Sequence, residues 1–262
     1  MRVWSGLLAV ALVAGCGAPA AVEPVDVVRL SARAPARVDL ATLARSLASI
    51  QPGWPRPPVT TDCRKVKCVA LTFDDGPGEY TQRLLDELGR LHVKATFFVV
   101  GQMVAADSHH TLHRMVAEGH ELGNHSWSHA ELPRLTDAGI ERELGRTQEL
   151  VHKLTGVLMK VMRPPYGSTN ARVTAEARRL GLAQILWSVD TLDWRDRVAT
   201  VVARRACKAT RGSIVLMHDI HRSTVEAVPA VVTDLAHKGY RFVTISELYG
   251  KPPAPGRKYS EL

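Results

Sequence analysis

A parallel α/β fold is what this sequence predicts, and three observations predict it. Short apolar runs alternate with longer amphipathic stretches about seven times between residues 66 and 244, the pattern of strand–helix units joined by right-handed crossovers. Glycines stand where the helical periodicity stops, at Gly119, Gly156 and Gly181. Polar or charged residues follow the apolar runs directly: Asp74-Asp75, His125, Arg163, Asp190 and His218. An open doubly wound sheet and a barrel both fit this order, and no internal repeat separates them. The chain of 262 residues, 45% hydrophobic and 23% charged, is long enough for one sizeable core.

The elements follow in order. Val66–Phe73 is apolar and β-prone, the first strand, and Tyr80–Leu91 has helical spacing. Ala95–Val100 predicts a second short buried strand, and His109–Glu118 a helix ended by Gly119. His120–Gly123 is a third, weakly marked strand. Thr136–Thr155 is the longest amphipathic helix, stopped by Gly156. Leu158–Met162 reads as strand and Asn170–Leu180 as helix. Ala183–Val189 is expected to be one strand, followed by an Ala199–Lys208 helix and an Ile214–Met217 strand. Val225–Lys238 reads as helix despite Pro229, and Tyr240–Thr244 as the last strand.

The flanks differ in composition. Met1-Arg2 is positively charged, and the apolar run Leu7–Ala14 is too short to span a bilayer. Residues 1–15 therefore read as a signal peptide, residues 16–62 as an N-terminal tether rich in Ala and Pro, residues 63–250 as the folded domain and residues 251–262 as an irregular tail. Export permits a disulfide, and Cys63 and Cys68 flank a short loop that a bridge can close. Cys207 reads as a small buried residue of a helix. The formal net charge of +8 reads as a solvated basic surface. With 5% aromatics and no compact Lys/Arg run, a nucleic-acid platform is not expected, and no protein partner is predicted.

Each motif has a bland reading beside a chemical one. Thr72-Phe73-Asp74-Asp75-Gly76-Pro77 is a strand entering a turn, yet two adjacent carboxylates at a buried strand end repel and call for a cation. His125 and His129 have a spacing that is often incidental. With a carboxylate, however, they can hold a divalent metal and leave a position for water. Ser126 stands where the zinc proteases carry Glu, so a base must come from elsewhere, and Asp74 is available. Arg163-Pro164-Pro165-Tyr166-Gly167 is a rigid turn that can aim the Tyr166 N–H at an oxyanion, with Arg163 pairing a catalytic carboxylate. In Asp190-Thr191-Leu192-Asp193-Trp194 the indole can stack on a sugar face, and one of the two carboxylates can orient a histidine. His218 ends an apolar strand and suits a general acid. His109, His110, His152, His221 and His237 show no convergent spacing and read as surface or packing residues.

Taken in order, these motifs resemble the polysaccharide deacetylase family, carbohydrate esterase family 4, also called the NodB homology domain. The resemblance runs from about Val66 to Tyr249, and one position departs mildly, Val215 standing where the family usually has Leu. It implies a distorted (β/α) barrel of about seven to eight units, mostly parallel. It implies that Asp74 is the general base, and that Asp75, His125 and His129 hold a divalent metal, zinc first, with cobalt, nickel or manganese as alternatives. Arg163 steadies Asp74, Tyr166 supplies the oxyanion N–H, His218 is the acid and Asp190 tunes it, while Trp194 and Asp193 remain candidates for binding substrate. The expected activity is metal-dependent removal of acetyl groups from N-acetylated sugar polymers such as peptidoglycan or a chitin-like glycan. The alternatives are an O-acetyl esterase on acetylated xylan and a non-catalytic glycan-binding lipoprotein. Val13-Ala14-Gly15-Cys16 resembles the lipobox of bacterial lipoproteins, which implies lipidation at Cys16 and a cell-surface protein anchored to the bacterial cytoplasmic membrane.

Overall fold

The computed structural model describes residues 61–262; the expected signal peptide, Cys16 and nearly all of the tether lie outside the described residues. Nine strands alternate with helices among those residues. In chain order they are β1 (Cys68–Asp74), α1 (Thr81–Leu91), β2 (Thr96–Val99), α2 (Gly101–Ala106), α3 (Thr111–Ala117), β3 (Glu121–Asn124), α4 (Asp137–Thr155), β4 (Val161–Met162), α5 (Ala171–Arg179), β5 (Ala183–Ile185), β6 (Val189–Asp190), α6 (Asp193–Asp196), α7 (Ala199–Ala206), β7 (Ile214–His218), α8 (Arg222–His237), β8 (Arg241–Phe242), α9 (Ile245–Leu248) and β9 (Lys258–Tyr259). The helix stops behave as the glycines and caps dictate. Thr136 accepts a hydrogen bond from the Gly139 N–H at the start of α4, and Gly156 closes the helix in the left-handed region.

The sheet runs β6-β7-β1-β2-β3-β4-β5-β9, with β8 beside the start of β1. All strand pairs are parallel. This curled half-barrel is the expected α/β fold. The segment expected as one strand over 183–189 is two strands. β5 pairs with β4 and β9 at one end of the path, and β6 pairs with β7 at the other. The chain breaks pairing between Ile185 and Val189, so the sheet curls without closing there. A second departure lies in the tail, where Lys258–Tyr259 forms β9 and the Tyr249 and Tyr259 rings meet at 4.9 Å. Strand edges leave unpaired backbone groups, and a short added strand satisfies them.

The period-2 alternation of β1 divides its residues between two cores. Val69, Leu71 and Phe73 join the larger cluster with the helices. Cys68 and Ala70 join the smaller one, and Thr72 and Asp74 continue that same face toward the carboxyl end. On β7, Val215 and Met217 take the first side, leaving Ile214, Leu216 and His218 on the second. Asp74 and His218 are register partners on adjacent parallel strands, so their side chains leave the sheet on one face, a strand spacing of roughly 5 Å apart. The Cys63–Cys68 disulfide is formed, and it ties the segment before β1 to the strand's first residue. No helix among the described residues is long and apolar enough to cross a membrane.

Candidate active site

Five strand ends converge on one cleft of about 430 Å³, lined by Asp74, Asp75, His125, His129, Tyr166, Trp187, Asp190, Trp194 and His218 among others. In parallel α/β folds the carboxyl ends of the strands gather at one mouth, which is why residues so distant in sequence meet here. Asp74 ends β1 and is buried, while Asp75 follows in the left-handed region at φ 76°. Such backbone costs about 1–3 kcal/mol in a non-glycine residue and persists where its surroundings impose it. The next residue, Gly76, admits no side chain, because a Cβ there would run into the carboxylate of Asp219.

The three expected metal ligands converge. Their donor atoms all lie within 4.8 Å of one another. His125 Nε2 and His129 Nε2 are each 3.4 Å from Asp75 Oδ1. His125 Nδ1 lies 2.7 Å from the carbonyl oxygen of Arg163. A carbonyl only accepts, so Nδ1 carries a proton, which leaves Nε2 as the ring nitrogen that can serve as a ligand. Burial and the charge of His125 lower the pKa of His129. Burial opposes ionisation of Asp75, but the hydrogen bond and charge of His125, with smaller contributions from His218 and His129, outweigh it and hold that carboxyl down to about 2. A divalent cation requires a carboxylate and unprotonated ring nitrogens, and the lowered pKa values of Asp75 and His129 both favour those forms. Asp75 Oδ1 is shielded from solvent and has no hydrogen-bond partner among the described residues, an orphan acceptor that a cation satisfies. The donor set fits a divalent metal of the zinc type.

Asp74 is held from beneath. Arg163, wholly buried, donates through Nη1 to Asp74 Oδ1 at 2.7 Å and to Thr72 Oγ1 at 2.9 Å. Its remaining donors reach the carbonyls of Ile185 and Leu186, and its guanidinium lies 4.3 Å from the centre of the Phe98 ring. Burial disfavours the guanidinium charge, and the Asp74 carboxylate offsets that. With Oδ1 committed to Arg163, Asp74 Oδ2 faces the metal ligands, 3.7 Å from His125 Nε2.

Across the cleft, one expectation is corrected. Asp193, not Asp190, holds His218: its Oδ1 is 2.8 Å from His218 Nδ1, and its Oδ2 accepts from the His218 backbone N–H at 2.7 Å. Thr224 donates to the same Oδ2 at 2.6 Å. Asp190 lines the cleft, and its Oδ1 accepts from the Leu192 N–H, a local turn bond. Burial alone would lower the pKa of His218, but the hydrogen bond and charge of Asp193 carry it up to about 9. Tyr166 sits in a short turn at φ 61°, mostly exposed, with its ring 4.6 Å from that of His129. Trp194 is half exposed at the rim, on the first turn of α6.

The sequence reading missed Thr72, Thr224, Trp187 and Glu143. Glu143, on α4, accepts from the backbone N–H groups of Trp127 and Ser128 at 2.9 and 2.8 Å and from the Ser128 hydroxyl at 2.9 Å. It clamps the loop between the two metal-site histidines, in which Ser126 and His129 both have positive φ. An acidic residue on an amphipathic helix carries no signal of such a role in sequence; only the packing of α4 beside the loop reveals it.

A cleft furnished in this way can hold a cation, take a proton on one side and return one on the other, which is the equipment metal-assisted hydrolysis needs. Residues 61–185 match the family model for polysaccharide deacetylase. The chain is 41% identical to the peptidoglycan-N-acetylglucosamine deacetylase PgdA of Listeria monocytogenes, over 85% of this chain and 48% of that protein, so it spans about half that relative's length. It is 37% identical to a chitin deacetylase of Pestalotiopsis sp over 82% of this chain and 74% of that one. In structure it resembles a family 4 acetyl xylan esterase from Clostridium thermocellum in complex with a cobalt ion, with a TM-score of 0.70 and 36% identity, covering 75% of this chain and 99% of the other. The chain belongs to the polysaccharide deacetylase family.

Proposed function

We propose that the protein is a metal-dependent hydrolase that removes acetyl groups from an N-acetylated sugar polymer, with glycan strands of the peptidoglycan type as its substrate. The observation that carries this reading is the meeting of Asp75, His125 and His129 beside a second carboxylate, Asp74, that is already paired by a buried arginine. Asp75, His125 and His129 are the residues to hold the metal, with zinc the first choice; when bound it acidifies water and polarises the acetyl carbonyl. Asp74 Oδ2 takes the proton of the water that attacks the acetyl carbon, and Arg163 fixes Asp74 through its other oxygen. The Tyr166 N–H receives the oxyanion that develops on the acetyl oxygen. His218, protonated and oriented by Asp193, delivers a proton from Nε2 to the nitrogen as the C–N bond breaks. Acetate and a free amine leave, and Trp187 and Trp194 offer aromatic faces to the sugar rings.

The test is acetate release from chitooligosaccharide, peptidoglycan glycan strands and acetyl-xylan, on metal-loaded protein with a chelator control. Release from the first two, abolished by chelator, is expected. Release from acetyl-xylan alone makes the protein an O-acetyl esterase, and release from none makes it a non-catalytic glycan binder. We also propose that the protein is a cell-surface lipoprotein, on the strength of Val13-Ala14-Gly15-Cys16 behind a short apolar run. Labelled palmitate should enter the wild-type chain and not Cys16→Ser.

A further inference from the structure

Beside the catalytic cleft lies a second, open cavity of about 280 Å³, lined by Arg197, His221, Arg222 and Tyr80, with Glu226 as its one acidic member. The two cavities are built from the same two segments. Trp194 and His218 line the first; three positions further along each segment, Arg197 and His221 line the second. The imidazole of His221 is centred 5.9 Å from that of His218. Arg222 Nε is committed to Glu226 Oε1 at 2.7 Å, so those two charges largely cancel. Arg197 is committed only through Nε, to the Trp194 carbonyl at 3.3 Å, and its terminal nitrogens have no partner among the described residues. Ser223 Oγ, in the same lining, is shielded from solvent and also lacks a hydrogen-bond partner among the described residues. A guanidinium fork beside an imidazole suits a planar carboxylate. The volume is at the low end for a small-molecule site, which suits a substituent rather than a second polymer strand.

We infer that this cavity is an acidic-substituent subsite, which binds a carboxylate carried by a sugar of the glycan next to the reacting acetamido group, with Arg197 as its main anchor. The inference rests on the deacetylase reading and narrows it, since it makes the preferred substrate an acidic glycan, such as one bearing lactyl ether carboxylates, rather than a neutral one. A neutral chitin-like chain would occupy the catalytic cleft and leave Arg197 unused.

The test compares peptide-free glycan oligosaccharides from peptidoglycan with the same oligosaccharides after methyl esterification of the carboxylates, using the full chain loaded with zinc. Binding is read by titration calorimetry and turnover by acetate release. The expected result is binding of the acid about tenfold tighter than of the ester, a ratio that falls toward one in Arg197→Gln, persists in part in Arg197→Lys and shrinks with added salt. Equal binding of acid and ester by the wild type, or an undiminished ratio in Arg197→Gln, overturns the subsite. Because binding is read separately, absence of acetate from every substrate refutes the catalytic reading instead. Arg197 is exposed and touches no core, so the substitutions leave folding intact.

Discussion

Replacing Asp193 by Asn tests how the cleft makes an acid. Asp193 holds His218 through Nδ1 at 2.8 Å and counters the burial that would otherwise push the imidazole below its ordinary pKa of 6.5. With the carboxylate the pKa stands at about 9, and without it burial is opposed only by the charges of Asp74 and Asp75, so the value falls back toward the ordinary 6.5. At pH 8 the first histidine is roughly nine-tenths protonated and, for a complete fall to 6.5, the second about 3%, which sets a ceiling of about thirtyfold on the ratio of competent enzyme. At pH 6 both are mostly protonated, so the same substitution costs little through this route. The assay is kcat for acetate release against pH, from 5.5 to 9.5, for both proteins. A cation at Asp75 lowers the His218 pKa in both alike, so the displacement between the two profiles is the quantity to read. Asp193 also accepts from Thr224, and Thr224→Val controls for loss of that contact alone. Stability supplies a second reading. Since the folded pKa is raised, the pair's contribution is fully present below about pH 6.5 and is lost as pH rises through about 9, so the Tm gap between the proteins should narrow there. A loss of equal size at pH 6 and pH 8 would refute the argument and leave Asp193 with a purely positional role.

Four further outcomes follow from the same geometry. Asp74→Asn should retain metal and lose at least a hundredfold in kcat, whereas His125→Ala should lose both metal and turnover; metal content by elemental analysis separates them, and an active Asp74→Asn protein sinks the base assignment. Arg163→Met leaves Asp74 buried without its partner and should cost about 3–5 kcal/mol in urea unfolding, and a loss below about 1 kcal/mol contradicts the pairing argument. Glu143→Ala should weaken metal binding about tenfold or more in a chelator competition with the circular dichroism unchanged, because the loop between His125 and His129 loses its clamp; unchanged affinity removes Glu143 from the site. Asp219 is fully buried, with Thr81 donating to one oxygen and the other unpartnered, and burial raises its pKa from 3.8 to about 7. The fold therefore favours the protonated acid, stability falls as pH rises from about 4 to 7, and Asp219→Asn should flatten that slope in unfolding measured across this range; an identical slope in the variant counts against the assignment.

The interior face of the barrel explains why the cleft is rigid enough for such chemistry. Thr72 accepts from Arg163 and donates to the Val215 carbonyl at 2.7 Å, joining β1 to β7 directly beneath Asp74 and His218. Asp74 and His218, the proposed base and acid, therefore ride on register partners that a buried polar network locks together. A site built on strands in this way holds its geometry better than one carried on loops alone.

The residue order alone determined the α/β class, the helix limits near Gly156 and Gly181, and the set of polar stops that became the cleft. These are local properties. Periodicity, terminators and residue type are written in consecutive positions, and a parallel sheet sends all its strand ends to one mouth. Which carboxylate reaches His218 was decided only by tertiary structure. Asp190 is taken by the Leu192 N–H, Leu192 turns the chain at φ 52°, and that turn carries Asp193 under the end of β7. Tertiary pairing also decided the division of residues 183–189 between opposite ends of the sheet, the strand at Lys258–Tyr259 and the clamp at Glu143. In each case the deciding partner lies far away in sequence, and hydrogen-bond geometry across that distance is set by packing rather than by neighbouring residues.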